Sequence, residues 1–231
     1  KFVDLGAKAV LLDVKEEFAK RTADLLHLTE ENSMCLGVDV SKEEDVKEAV
    51  SKIRTRFNRV DVLVNTAGIP GPSARTEDYS FEDVKSIRSE CVWDFSDDAK
   101  YTSDHAGTKS GAIINFGSVS GMFGYPYEIG YGSSKAAVIY MTKNAANENG
   151  FNGVRINAVS PGWVDTNMMK TVVDSYKDVG IENSSDNVTI GPMRRVAAPE
   201  ELANVVTFLA SEEASYVNGA NFLVDGGMTL G

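Results

Sequence analysis

Val60-Asp61-Val62-Leu63-Val64-Asn65-Thr66-Ala67-Gly68 is the stretch that decides the fold. Val60–Val64 is almost wholly apolar and then stops abruptly on small and polar residues. A strand covered on one face alternates apolar and polar side chains; one covered on both faces reads as a continuous apolar run. Outward from it, further short runs recur. Ala9–Leu12 ends at Asp13, and Met34–Val38 ends at Asp39. Ala112–Phe116 precedes Ser118, Val154–Val159 precedes Pro161-Gly162, and Asn221–Val224 precedes Asp225-Gly226-Gly227. Helical stretches separate them: Lys15 to Leu28, then Ser41 to about Phe57, Phe81 to about Tyr101, Tyr131 to Asn147 and Pro199 to Ala210. Ser41 with Glu44 reads as a capping box, and Pro199 occupies a first helical turn. Strands alternating with helices predict an α/β fold, a doubly wound parallel sheet with helices on both faces.

The 231 residues suit one large α/β domain, with no linker, repeat or low-complexity tract to divide positions 1–231. Lys1–Ala7 reads as the last turn of a helix with Gly6 as its stop, so a strand, a turn and most of a helix are expected before Lys1. Residues 167–193 form the one long stretch without clear periodicity, which predicts a substrate-binding loop. The net charge of −11 argues against a nucleic-acid binder and against docking on an anionic membrane. Cys35 and Cys91 make no paired motif, so a reducing, cytoplasmic setting is expected. No run reaches the length of a membrane span. His27 and His105 have no companions at metal-ligand spacing, so no metal is expected.

The chemistry is carried by Ser118 and by Tyr131-Gly132-Ser133-Ser134-Lys135. Positions i and i+4 share a helix face, which sets the Lys135 ammonium beside the Tyr131 phenol. A free phenol titrates at about 10, and a nearby cation favours the phenolate. Tyr131 so tuned is a general acid/base. The Ser118 hydroxyl can hold a substrate carbonyl oxygen without titrating. The set suits interconversion of an alcohol and a ketone with a hydride carrier supplied from outside. In open α/β sheets ligands bind beyond the carboxyl ends of the strands. Asp13 stands where an acid bonds the adenosine ribose and repels a 2′-phosphate, which favours NAD over NADP. The glycine-rich turn that belongs about 20 residues earlier would fall before Lys1. Asn65 to Gly68, and the turn from Pro161 through Val164 to Thr166, are small or rigid enough to let a cofactor approach. Gly117-Ser118-Val119-Ser120-Gly121 is not the G-x-S-x-G elbow of a hydrolase.

Taken in order and spacing, Asp13, Asp39, Asn65-Thr66-Ala67-Gly68, Ser118, Tyr131-x-x-x-Lys135 and Pro161-Gly162 resemble the short-chain dehydrogenase/reductase family. The ending, from Pro199-Glu200-Glu201 through Phe208-Leu209-Ala210-Ser211 to Val224-Asp225-Gly226-Gly227, is similar too. The resemblance covers the chain except 167–193. It implies a single Rossmann-type domain using NAD(P)(H), with Ser118, Tyr131 and Lys135 catalytic and Lys135 also on the nicotinamide ribose. It further implies Asp39 and Val40 at the adenine, Asn65, Ala67 and Gly68 along the cofactor, and Pro161, Gly162, Val164 and Thr166 at the carboxamide. Family members pair as homotetramers or dimers through the helices around 81–101 and 131–147. Arg88 departs from the pattern: the family often has Asn there for a proton relay, and Arg has no acceptor.

The expected function is therefore NAD-dependent oxidation of a secondary alcohol or reduction of the matching ketone. Met122, Phe123, Tyr125, Tyr127, Trp163, Met168 and Met169 would give the pocket an apolar wall, suited to a bulky lipophilic alcohol such as a hydroxysteroid. A 3-oxoacyl thioester reductase is the alternative enzyme, disfavoured by Asp13. A catalytically silent nucleotide-binding or structural subunit is the alternative of another class, opposed by the intact Ser118, Tyr131 and Lys135.

Overall fold

The computed structural model describes residues 1–83, 111–181 and 191–230. Among them six strands form, β1 (Ala9–Asp13), β2 (Ser33–Gly37), β3 (Val62–Asn65), β4 (Gly111–Phe116), β5 (Val154–Pro161) and β6 (Asn221–Val224). Every ladder is parallel. β1 pairs with β2, and β3, β4, β5 and β6 pair in that order. Among the described residues no ladder joins β1 to β3.

The apolar runs are explained by two cores on opposite faces. On β4 the odd and even positions point to opposite sides. Ala112 and Ile114, with Val159 of β5, pack on Leu202, Val206 and Leu209 from the helix Pro199–Ala210. Ile113, Val154 and Ile156 pack on Ala146 of the helix Ile129–Asn149. Ile114, Ile156 and Leu209 are wholly excluded from solvent, each worth roughly 1.5–3 kcal/mol of burial. Among the described residues there are three other α-helices, so that in chain order these are α1 (Glu16–Leu25), α2 (Glu43–Phe57), α3 (Ile129–Asn149), α4 (Asn167–Ser175) and α5 (Pro199–Ala210).

Several local expectations need correction. The capping box at Ser41 does not form: α2 begins at Glu43, and the Ser41 hydroxyl donates to Asp39 Oδ1 at 2.6 Å. The nearer carboxylate wins, and it turns the chain two residues before the helix. α1 stops at Leu25 rather than Leu28, with His27 at φ +52 turning the chain away. The stretch 167–193 opens on a helix, α4, because Thr166 accepts a hydrogen bond from Met169 N and caps it. Its side chains at 168, 169, 172 and 176 recur at helical spacing. Asp225-Gly226-Gly227 reads in the sequence as a turn with no helix after it, yet a one-turn 3-10 helix, Met228–Leu230, follows, and Asp225 gathers the Gly227 and Thr229 amides. Gly6 does end a helical turn, at φ +87. Arg88, Cys91, His105 and most of the helix expected over 81–101 lie outside the described residues.

Candidate active site

The carboxyl ends of β3, β4 and β5 open on a single cavity of about 590 Å³. This is within the usual range for a small-molecule site. Thr66 and Gly68 line it after β3, Phe116 to Ser120 after β4, and Pro161 to Val164 after β5. Tyr131 and Lys135 enter from the first two turns of α3, and Thr166, Met168, Met169 and Val172 from around α4. Such a groove across three neighbouring strand ends fits the nicotinamide half of a dinucleotide, with the small residues Gly68 and Gly162 letting the ring come close to backbone.

Ser118 leaves β4 in an extended conformation and is almost fully buried, its Oγ accepting from Ser120 N at 3.2 Å. Lys135 is 5% exposed and donates from Nζ to the Phe116 carbonyl at 2.9 Å. A buried ammonium is costly unless hydrogen-bonded, so this carbonyl fixes where the charge sits. From there Nζ lies 5.7 Å from the centroid of the Tyr131 ring. Cation and phenol therefore share a flank of α3, and that flank faces the cavity.

Two glycines lock the Ser118 loop to α3. A Cβ on Gly121 would come within 2.7 Å of the Lys135 carbonyl carbon, and one on Gly132 within 2.8 Å of the Ser120 oxygen. Both obstacles are backbone, so neither can swing aside. Gly121→Ala is expected to destabilise the protein by about 1–3 kcal/mol, the usual cost of overpacking. It should also depress turnover by moving Ser118 away from Tyr131. A thermal melt of the variant checks the first effect and initial rates the second.

Below the site, β3, β4 and α3 are tied by side chains. Asn65 Nδ2 donates to Asn115 Oδ1 at 2.9 Å, and Asn115 Nδ2 to Thr142 Oγ1 at 3.1 Å. Asn115 is fully buried. The Asn65 side chain is thus engaged in joining strands. Neither Asn65 nor Ala67 lies on the cavity wall, and Asp13, Asp39 and Val40 lie off it as well. Asp13 Oδ1 accepts from Lys15 N at 3.2 Å. Asp39 Oδ1 accepts from Ser41, and its Oδ2 meets Lys42 Nζ at 3.0 Å. The Ser41 hydroxyl and Lys42 hold that carboxyl below its ordinary range. Met122 and Phe123, expected on the substrate wall, are instead exposed and off it, with Met122 Sδ accepting from Asn221. Tyr125, Tyr127, Trp163, Met168 and Met169 do line it.

Three wall residues carry no motif. Glu128 accepts from the Ser120 hydroxyl at 2.7 Å and from the Tyr176 hydroxyl at 3.0 Å. Burial, and then Glu128, pushes the Tyr176 phenol far up, so it remains a donor. Tyr176 is 48 residues from Glu128 in the chain, and no spacing rule could have paired them. Among the described residues there is no cluster of acids, cysteines and histidines able to hold a metal ion, and no helix long and apolar enough to cross a membrane.

A fold of this topology, with a Ser, a Tyr and a Lys converging at its strand ends, defines an α/β oxidoreductase. Comparison with known proteins agrees. A family model described as "Enoyl-(Acyl carrier protein) reductase" matches residues 1–229. A 3-oxoacyl-[acyl-carrier-protein] reductase of Staphylococcus epidermidis is 35% identical over 200 residues, 86% of this chain and 78% of that protein. The solved structure of ElxO with NADP bound superposes with a TM-score of 0.87 at 33% identity, covering 100% of this chain and 92% of that one. NAD+-bound xylitol dehydrogenase does so with a TM-score of 0.84 at 28% identity, covering 94% and 88%. The chain belongs to the short-chain dehydrogenase/reductase family. It is an NAD(P)-dependent oxidoreductase acting on CH–OH groups, with a Rossmann-like parallel sheet.

Proposed function

We propose that this protein interconverts a secondary alcohol and its ketone with NAD as the preferred nucleotide. The observation that carries the reading is the placement of Lys135 Nζ 5.7 Å from the Tyr131 ring, on the same cavity wall as Ser118. A bound nicotinamide would exchange hydride with the carbinol carbon. The protein's own residues do the rest. Ser118 donates its hydroxyl to the substrate oxygen and holds it in place. Tyr131 delivers a proton to that oxygen in reduction and removes it in oxidation. Lys135 stabilises the phenolate by its charge and reaches the nicotinamide ribose. Pro161, Gly162, Val164 and Thr166 border the carboxamide, while Asn65, Ala67, Gly68, Asp39 and Val40 follow the rest of the nucleotide. Met168, Met169, Trp163, Tyr125 and Tyr127 pack against the apolar part of the substrate, which accommodates a lipophilic alcohol. We assign residues 1–231 to one nucleotide-binding domain and expect a homo-oligomer, with the exposed Tyr140 and Phe151 near the pairing helix α3.

The test is the growth of NADH absorbance with a panel of hydroxysteroids, diols and sugar alcohols. Oxidation of at least one member supports the reading, and silence across the panel in both directions overturns it. Cofactor choice is tested separately. Asp13 sits at the carboxyl end of β1, where its charge repels a 2′-phosphate. Asp13→Ala should raise the NADP-to-NAD ratio of kcat/KM by about tenfold, since a lost repulsion of about 1.4 kcal/mol is one decade. A wild-type enzyme that already prefers NADP would remove Asp13 from this role.

The similarity to a 3-oxoacyl-[acyl-carrier-protein] reductase favours a second reading, reduction of a 3-oxoacyl thioester. It predicts NADPH-dependent turnover of such thioesters exceeding that of every simple alcohol or ketone tested.

A further inference from the structure

We propose that Glu128 is a specificity-determining residue that selects an uncharged substrate bearing a hydroxyl on the carbon next to the reacting one. The candidate class is thus a vicinal diol or α-hydroxy ketone, and the class excluded is the corresponding keto acid. The inference rests on the alcohol/ketone reading above and names its substrate.

Glu128 immediately precedes α3 and stands three residues before Tyr131. Tyr131 lies in the first turn that Glu128 caps, and both line the cavity. Across from them, Ser118 and Ser120 lie two apart on the loop after β4. Ser120 Oγ donates to Glu128 Oε2 at 2.7 Å, which seats Glu128 one step along the wall from Tyr131. The other oxygen, Oε1, accepts from the Tyr176 hydroxyl at 3.0 Å. Each carboxylate oxygen is thereby oriented by one donor. A carboxylate has about four lone-pair sites, so these two bonds from described residues leave it capacity to accept from a ligand. Tyr127, also on the wall, is held at φ +69 directly before Glu128. A bulky residue rarely adopts that conformation, and such strain clusters at ligand sites. Burial and then the Glu128 charge also push the Tyr125 phenol up, so that hydroxyl remains a neutral donor.

A fixed negative charge one step from the reacting oxygen discriminates in two ways. A substrate hydroxyl there gains a charge-assisted hydrogen bond. A carboxylate or phosphate there meets like charge at close range, which is unfavourable. A plain ketone gains neither and leaves the acid to water.

The test compares three aromatic ketones of equal framework: 2-hydroxyacetophenone, acetophenone and phenylglyoxylate. Wild type is expected to favour the hydroxy ketone over acetophenone by at least tenfold in kcat/KM and to use phenylglyoxylate least. Glu128→Gln keeps the shape and removes the charge. It should shrink the hydroxy-ketone preference to below threefold and raise the relative rate on phenylglyoxylate, with the change carried in KM. Glu128→Asp, which retains the charge, should recover part of the preference. Calorimetric binding of 1-phenyl-1,2-ethanediol and of mandelate gives a readout that needs no turnover. If wild type binds the diol more tightly, Glu128→Gln loses that bias and no ketone is reduced, the redox reading alone fails. If the ratios and the binding bias are the same in wild type and Glu128→Gln, Glu128 does not select the substrate and the proposal is overturned.

Discussion

Tyr131→Phe is expected to lower turnover by roughly 10²–10⁴-fold, the span a positioned general acid/base supplies, while the Kd for nucleotide stays within a few-fold of wild type. The substitution removes one oxygen and keeps the ring. The ring's contact with Lys135 Nζ at 5.7 Å from its centroid is therefore preserved, and so is the anchor of Lys135 on the Phe116 carbonyl. Cavity shape and local charge are unchanged, and only the proton donor is gone. Steady-state rates in both directions, alongside a fluorescence titration with NADH, separate the two quantities. A Phe variant with near-wild-type rates would show that the proton comes from elsewhere and would remove the mechanism proposed above.

Lys135→Met is the companion. It is expected to cost about as much in rate and to displace the pH dependence as well. Without the cation the phenolate loses its stabilisation, so the phenol titrates higher. In the alcohol-oxidising direction the phenolate is the working base, so the rising limb of the pH–rate profile should move to higher pH. At high pH part of the activity should return. Met fills a similar volume, yet it leaves the part-buried Phe116 carbonyl without the donor it now has, a penalty of at most about 1–3 kcal/mol. A lowered melting temperature should accompany the kinetic change. A profile of unchanged shape, merely scaled down, would mean that Lys135 acts as a structural strut alone.

Much of the architecture could be read from the chain because burial on both faces leaves a simple trace. Pro199–Ala210 and Asn221–Val224 occupy the intervals their patterns predict. The β3 run ends at Asn65 and the β5 run extends to Pro161, each moved only slightly at its ends. The placement of the candidate site residues was legible where it depends on local spacing. Tyr131 and Lys135 share a flank because a helix brings residues four apart together. What escaped depends on competition among neighbours. Ser41 has the right chemistry for a cap, but Asp39 is closer. Met122 and Phe123 look like pocket walls, yet the turn carries them outward and brings Tyr125 and Tyr127 in. Asn65 ends a strand, but its side chain has a partner that no local pattern records. Its amide is turned to Asn115 in the neighbouring strand, and only the register β3–β4 reveals that partner.

The division between the two levels is physical. Alternating apolar and helical segments, and the i, i+4 pair at 131 and 135, are short-range properties of a chain that must hide its backbone and its hydrocarbon. Those were set by the order of residues alone. The carboxylate of Glu128 gripped by Ser120 and Tyr176, and the glycines that let the Ser118 loop rest on α3, arise from segments distant in the chain. Their meeting is enforced by packing between segments far apart in the chain, which no local pattern records.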